Sequence, residues 1–140
     1  MFAWINSNDI YQSPPEVHSL NISADTNFLR PEVATSTDPY FVIQQKSYDI
    51  GKRALAIDSW KDIVSQANRE NGTLASFFGY GEDDGEKDNL MTLEATVDIA
   101  YFEDVHVKSD AWMDMLAAEQ KAGAKTTTTL AKMAGGFLYK

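Results

Sequence analysis

The alternation of apolar and polar residues changes its period between Leu90 and Leu116. Residues 90–97 alternate with a period of two, and the apolar side chains on both faces predict a strand that is partly covered on both sides. After Asp98 the apolar spacing becomes helical. Ser109 is suited to cap a second helical segment. The pattern therefore predicts a strand that leads into a helix, 99–119, with a break before Ser109.

The rest of the chain contains further stretches with the period of a strand and others with the period of a helix. Phe41 and Ile43 alternate with Val42, which predicts a strand, and Gly51 then turns the chain. The other predicted elements are an amphipathic helix at 52–71, a strand at 73–81, a polar loop at 82–88, an extended stretch at 126–129 and a short last strand at 137–139. From Tyr40 the order is strand, helix, strand, strand, helix, strand. This order is typical of an α+β, ferredoxin-like βαββαβ domain with a four-stranded antiparallel sheet.

The first 39 residues are harder to interpret. Met1–Ile5 could form a strand, and Pro14-Pro15 interrupts any regular element that follows. We therefore divide the chain into an arm or linker, 1–39, and a domain, 40–140. A weak similarity between residues 16–25 and 104–110 leaves open that the arm is part of a degenerate repeat.

Composition excludes several classes of function. The net charge is −9, which disfavours binding to nucleic acid phosphates. The 140 residues include no cysteine, so a disulfide or a thiolate metal site is ruled out. We find no apolar run of the roughly 20 residues needed to cross a bilayer. We also find no secretory signal, so we expect a cytoplasmic protein that does not associate with membranes.

Four stretches of residues 40–140 carry a family resemblance: the strand and turn Tyr40–Gly51, the entry Asn71–Leu74, the run from Leu93 to Ser109 and the closing residues 135–138. Through these stretches the domain resembles the antibiotic biosynthesis monooxygenase family, and residues 135–138 look like those of its fungal members. Thr96 stands where many members have an aromatic residue. The first strand offers Gln44 and Gln45 where haem-degrading members use an asparagine.

The resemblance implies a dimeric α+β barrel with a pocket for a small aromatic molecule. His106 or Tyr101 would act as the base, although a histidine can equally fix the helix break through a backbone hydrogen bond. Gln44 would bind the substrate, and Glu94 would do so unless it only pairs with Arg53 or Lys46. An aromatic wall would be formed by residues of a type that more often serves only as core: Trp60, Phe77, Tyr80, Tyr101 and Trp112.

The resemblance also implies the chemistry. A phenol or anthrone of polyketide type, once deprotonated, would react with dioxygen without flavin, haem or metal. We therefore expect a cofactor-independent monooxygenase that acts as a homodimer. Two alternatives remain open: a non-oxidative isomerase, cyclase or decarboxylase of a polyketide or lactone, and a small-molecule-binding dimer without catalysis.

Overall fold

A computed structural model of the chain describes residues 20–22, 24–81 and 86–132. In chain order its strands and helices are β1 (Asn27–Leu29), β2 (Tyr40–Ser47), α1 (Ala54–Ala67), β3 (Thr73–Tyr80), β4 (Asn89–Thr96), α2 (Ile99–Asp104), α3 (Asp110–Ala122) and β5 (Lys125–Lys132). Short 3-10 turns precede β1, follow it at Pro31–Ala34, and separate α2 from α3 at His106–Lys108.

The strands form one antiparallel sheet in the order β1-β3-β4-β2-β5. Apart from β1, this is the strand order of a ferredoxin-like fold, in which each helix connects two strands that are not neighbours. The helices pack on one face of the sheet, which we call the inner face. The predicted α+β, βαββαβ class is therefore confirmed.

The sheet has five strands where the pattern predicted four. The additional strand, β1, comes from the arm and pairs with β3 along the sheet edge. Arg30 holds the arm in place by donating hydrogen bonds to the backbone oxygens of Asn68, Glu70 and Thr73. A three-residue strand is too short to show a period, so the sequence pattern did not reveal it.

The predicted break in the second helix is present. The Asp98 side chain accepts a hydrogen bond from the Tyr101 amide at 2.7 Å and caps α2. Ser109 caps α3 by accepting from the Trp112 amide at 3.3 Å, as its position predicted. Between these helices the 3-10 turn places His106 in the interior, where it is fully buried.

Several expectations concern residues outside the described part of the chain: the strands proposed at 1–5 and 137–139, and the loop tip at 82–85. The extended stretch at 126–129 lies within β5, which takes the position of the last strand. In the described residues, no helix combines the length and the apolar character that crossing a membrane requires.

Apolar packing occurs on both faces of the sheet. The larger cluster lies between the inner face and the helices and includes Trp60, Ile63, Phe78, Leu90 and Met115. The smaller cluster, on the outer face, consists of Val33, Leu74, Ala75 and Ala95, with Phe41 and Leu93 half-buried beside it. Burial of one large apolar side chain stabilises the fold by about 1.5–3 kcal/mol, so both faces contribute to stability.

Candidate functional site

The centre of the inner face is polar, although the helices cover it. Strand pairing places Gln44 directly opposite Thr92, and Val42 opposite Glu94, so these side chains point to the same face. Thr92 and Glu94 are almost completely buried, and Gln44 is half-buried. Burying polar groups is costly unless they are paired, so their partners need to be accounted for.

His106 lies between two carboxylates. Its Nδ1 is 2.7 Å from Glu70 Oε2 and its Nε2 is 2.9 Å from Glu94 Oε1. Neither the histidine nor Glu94 has any exposed surface. Thr73 donates to the Glu70 carboxylate and Ser76 donates to the Glu94 carboxylate at 3.3 Å. We call Glu70, His106 and Glu94 the histidine cluster.

The cluster favours the protonated imidazole. Burial by itself lowers the pKa of His106, but hydrogen bonds and charge from both carboxylates outweigh it and raise the pKa to about 10. For Glu70, burial acts in the opposite direction and raises the pKa. Hydrogen bonds from His106 and Thr73 more than compensate, so the pKa of Glu70 lies below its usual range. At neutral pH both ring nitrogens therefore donate hydrogen bonds, one to each carboxylate.

Three buried oxygens near the cluster lack a hydrogen-bond partner within the described part of the chain. They are Glu94 Oε2, Thr92 Oγ1 and Gln44 Oε1. All three belong to neighbouring positions on β2 and β4, and two of them can only accept hydrogen bonds. We call this group the acceptor site. An unpaired buried acceptor costs roughly 1–3 kcal/mol, so the site favours a ligand that donates hydrogen bonds.

A second buried network flanks the acceptor site. Lys46 Nζ is 2.9 Å from Glu119 Oε2, and Glu119 Oε1 accepts hydrogen bonds from Tyr48 and from Trp60 Nε1. Burial lowers the pKa of Lys46 despite the attraction of Glu119 and of Glu94. Both carboxylate oxygens of Glu119 are thus paired, and the network links α3 to α1 and to the end of β2.

Gln44 is the member of the acceptor site that lies next to β5, the exposed edge strand of the sheet. Gln44 Nε2 is 3.4 Å from Thr128 Oγ1, and the inner-face residues of β5 are exposed because the helices do not extend over that strand. A surface groove of about 260 Å³ lies elsewhere, mainly on the outer face beside Gln45, Asn89 and Met91. It does not include Glu94, so we place the site by its unpaired buried groups rather than by this groove.

The structure brings part of the predicted site together. Gln44 and Glu94 share the inner face, and Trp112 contacts His106 edge-on with ring centroids 5.2 Å apart. Trp60 packs on Trp112 at 6.2 Å, so both tryptophans lie in the layer above the sheet. These residues form a buried aromatic and acidic region beneath α3.

Other predicted site residues lie apart from this region. Phe77 and Tyr80 occupy opposite faces of β3, since Phe77 pairs with Leu93 and Tyr80 pairs with Leu90. The two residues cannot therefore form one wall. Tyr80 lies at the other end of the inner face under Arg53, whose guanidinium is 4.7 Å from its ring centroid. The Tyr101 ring packs against Gly72 and leaves no space for a side chain there.

Sequence reasoning did not identify Glu70, Thr92 or the Lys46–Glu119 pair as members of this region. Glu70 follows the end of α1 and is 36 residues from His106, so no local pattern connects them. Thr92 could have been found, because it shares a strand face with Glu94. In the described residues no group of three or more acidic or histidine side chains is arranged to hold a metal ion. The two carboxylates of the histidine cluster bind opposite ring nitrogens instead of converging on one point.

Comparison with known proteins supports the fold. No protein-family model and no curated protein matches the chain. Among solved structures, the chain is similar to SnoaB, a cofactor-independent oxygenase from Streptomyces nogalater, with 9% identity, a TM-score of 0.57 and coverage of 74% of this chain and 100% of SnoaB. A Bacteroides thetaiotaomicron protein of unknown function gives 17% identity, a TM-score of 0.58 and coverage of 69% and 98%.

A third similar structure is a Lactobacillus acidophilus protein whose name gives monooxygenase as its proposed activity. The identity is 12% and the TM-score is 0.61, with coverage of 81% of this chain and 50% of that protein. The chain thus spans half the length of the Lactobacillus protein. At these identities the similarity shows a common fold with SnoaB and with monooxygenase-like proteins.

Proposed function

We propose that the protein is a cofactor-independent monooxygenase that acts on a small aromatic molecule of the anthrone or phenol type. The observation that supports this most directly is the acceptor site, with unpaired buried oxygens of Gln44, Thr92 and Glu94 beneath an aromatic helix layer. The fold is shared with a cofactor-independent oxygenase. A binding site of this composition suits a planar ligand with hydroxyl groups.

The proposed chemistry requires the protein to remove one proton and to exclude water. Loss of a proton from the substrate leaves an enolate or phenolate, which can transfer an electron to dioxygen without a cofactor. For an anthrone, the overall reaction converts the ring CH₂ and O₂ to a ring C=O and H₂O. Trp60 and Trp112 would form the apolar surroundings of the ring, and the paired Lys46 would stabilise the anion electrostatically.

We also propose that the protein is a homodimer joined through the outer face. Phe41, Ile43, Met91 and Leu93 are half-buried there and form an apolar surface on the side away from the helices. An interface of this kind should bury at least ~1,000 Å² in total. Ile43→Glu should give a monomer in sedimentation velocity, whereas Leu55→Glu, at an exposed position of α1, should not. A wild-type monomer at micromolar concentration would contradict the dimer.

Oxygen uptake tests the proposed reaction. The purified protein, without added metal or flavin, should consume one O₂ for each anthrone converted to anthraquinone, and the rate should exceed that of the buffer control. Conversion of a hydroxylated aromatic without oxygen uptake would instead support a non-oxidative isomerase or cyclase. Binding without conversion of any such compound would favour a binding module, and either result would refute the monooxygenase.

A further inference from the structure

We infer that Glu94 is the group that accepts the substrate proton, through its free oxygen Oε2, and that His106 and Glu70 are positioning residues. This inference rests on the proposed function. It places the base, Glu94, on β4. His106, which the family resemblance implied as a base, becomes a positioning residue. Three features of the described residues support it: the occupation of both imidazole nitrogens, the unpaired carboxylate oxygen, and the second carboxylate behind the ring.

His106 is poorly placed to act as a base. Its two ring nitrogens are engaged by carboxylate oxygens at 2.7 Å and 2.9 Å. A ring that donates from both nitrogens has no lone pair with which to accept a proton. A substrate would have to displace Glu70 or Glu94 before it could reach the imidazole.

The two carboxylate oxygens of Glu94 differ: the protein donates hydrogen bonds to one and leaves the other available to a ligand. Oε1 accepts hydrogen bonds from His106 and, at 3.3 Å, from Ser76, and these two contacts fix the plane of the carboxylate. Oε2 is buried and has no partner in the described part of the chain. Thr92 Oγ1 and Gln44 Oε1, which are also unpaired, belong to residues at neighbouring positions on the same face of the sheet.

Glu70 holds the His106 ring in place and in its protonated form. Its carboxylate binds His106 on the side away from Glu94 and accepts further hydrogen bonds from Thr73 and Gln66. The second carboxylate keeps the proton on the imidazole, so that His106 donates to Glu94 Oε1 and does not take the proton that Glu94 receives. Lys46 also lies close enough to Glu94 for their opposite charges to attract each other.

The proton transfer itself is simple. The substrate C–H or O–H bond breaks, its electron pair remains on the substrate as an enolate or phenolate, and a new O–H bond forms at Glu94 Oε2. The proton is released when the product leaves or when the reduced oxygen takes it up to form water. No oxidant is needed for this step, so it can be measured without oxygen.

Two measurements test the inference. The first follows exchange of the C10 protons of anthrone in D₂O under argon, by proton NMR, with full-length protein. The second follows the pH titration of the His106 ring by NMR, and His18→Ala identifies its signals because the chain has only two histidines. The variants are Glu94→Gln and Glu70→Gln. Glu103→Gln, on the exposed side of α2, makes the same chemical change away from the site and serves as the control.

We expect the wild-type protein and Glu103→Gln to accelerate exchange equally, and Glu94→Gln to slow it roughly 100-fold or more. In wild-type protein the His106 ring should remain protonated to about pH 10. Glu70→Gln should lower that pKa by roughly 1–3 and make exchange pH-dependent near neutrality, an effect that a purely structural role would not produce. Glu94→Asp, which keeps a carboxylate, should retain more exchange than Glu94→Gln if both fold.

Three results would overturn the inference: no acceleration by the wild-type protein, full acceleration by a folded Glu94→Gln variant, or titration of His106 near its usual pKa. Exchange without oxygen uptake would have a different meaning. It would support Glu94 as the proton acceptor and refute the proposed monooxygenase, so the two proposals can fail separately.

Discussion

Replacement of His106 by leucine should destabilise the protein strongly. The substitution removes a fully buried cation that makes hydrogen bonds of 2.7 Å and 2.9 Å to two carboxylates, and it leaves Glu70 and Glu94 without their shared partner. Breaking a buried ion pair by removing one member costs about 3–5 kcal/mol. We therefore expect His106→Leu to lower the free energy of unfolding at pH 7 by about 4 kcal/mol.

The corresponding shift in melting temperature follows from the chain length. With 140 residues and roughly 2.1 cal/mol/K of unfolding entropy per residue, the total is about 0.3 kcal/mol/K, so the loss corresponds to a fall in Tm of about 13 °C. Urea unfolding followed by circular dichroism at pH 7 measures the free energy directly.

A double-mutant cycle provides the control. In a background that already carries Glu70→Gln and Glu94→Gln, the same His106→Leu change should cost less than half as much, because no buried charge is left unpaired. A cost below about 1 kcal/mol in the wild-type background, or an equal cost in both backgrounds, would show that the histidine cluster does not hold its charges as the structure indicates.

Three further predictions concern stability. First, because the folded pKa of His106 lies above its ordinary value of 6.5, its stabilisation is complete below about pH 6.5 and is lost as pH rises towards about 10. Unfolding free energies measured from pH 6 to 10 should therefore fall more steeply in wild-type protein than in Glu70→Gln. Second, Ser109→Ala should cost about 1 kcal/mol through loss of the α3 cap, whereas Ser65→Ala, exposed within α1, should cost little. Third, Arg30→Ala should speed hydrogen exchange of the β3 amides that pair with β1, because the arm loses its bonds to three backbone oxygens.

The local pattern of the sequence was sufficient to predict most of the secondary structure. Alternation assigned Phe41 and Ile43 to one face of β2, and separately assigned Glu94 to the face of β4 opposite Leu93, because a strand side chain can point in only two directions. The interruption before Ser109 followed from the capping preference of serine and the loss of helical spacing. The order of these elements then led to the fold, since short connections and antiparallel pairing allow few arrangements.

The tertiary structure decided which polar residues meet. Glu70 and His106 are 36 residues apart, and Lys46 and Glu119 are 73 residues apart, so neither pairing leaves a trace in any local window of the sequence. The same is true of β1, whose three residues gain their hydrogen bonds from β3. The role of a buried carboxylate depends on whether each oxygen finds a donor. For Glu94, helices and strands from distant parts of the chain supply a donor to one oxygen and leave the other unpaired.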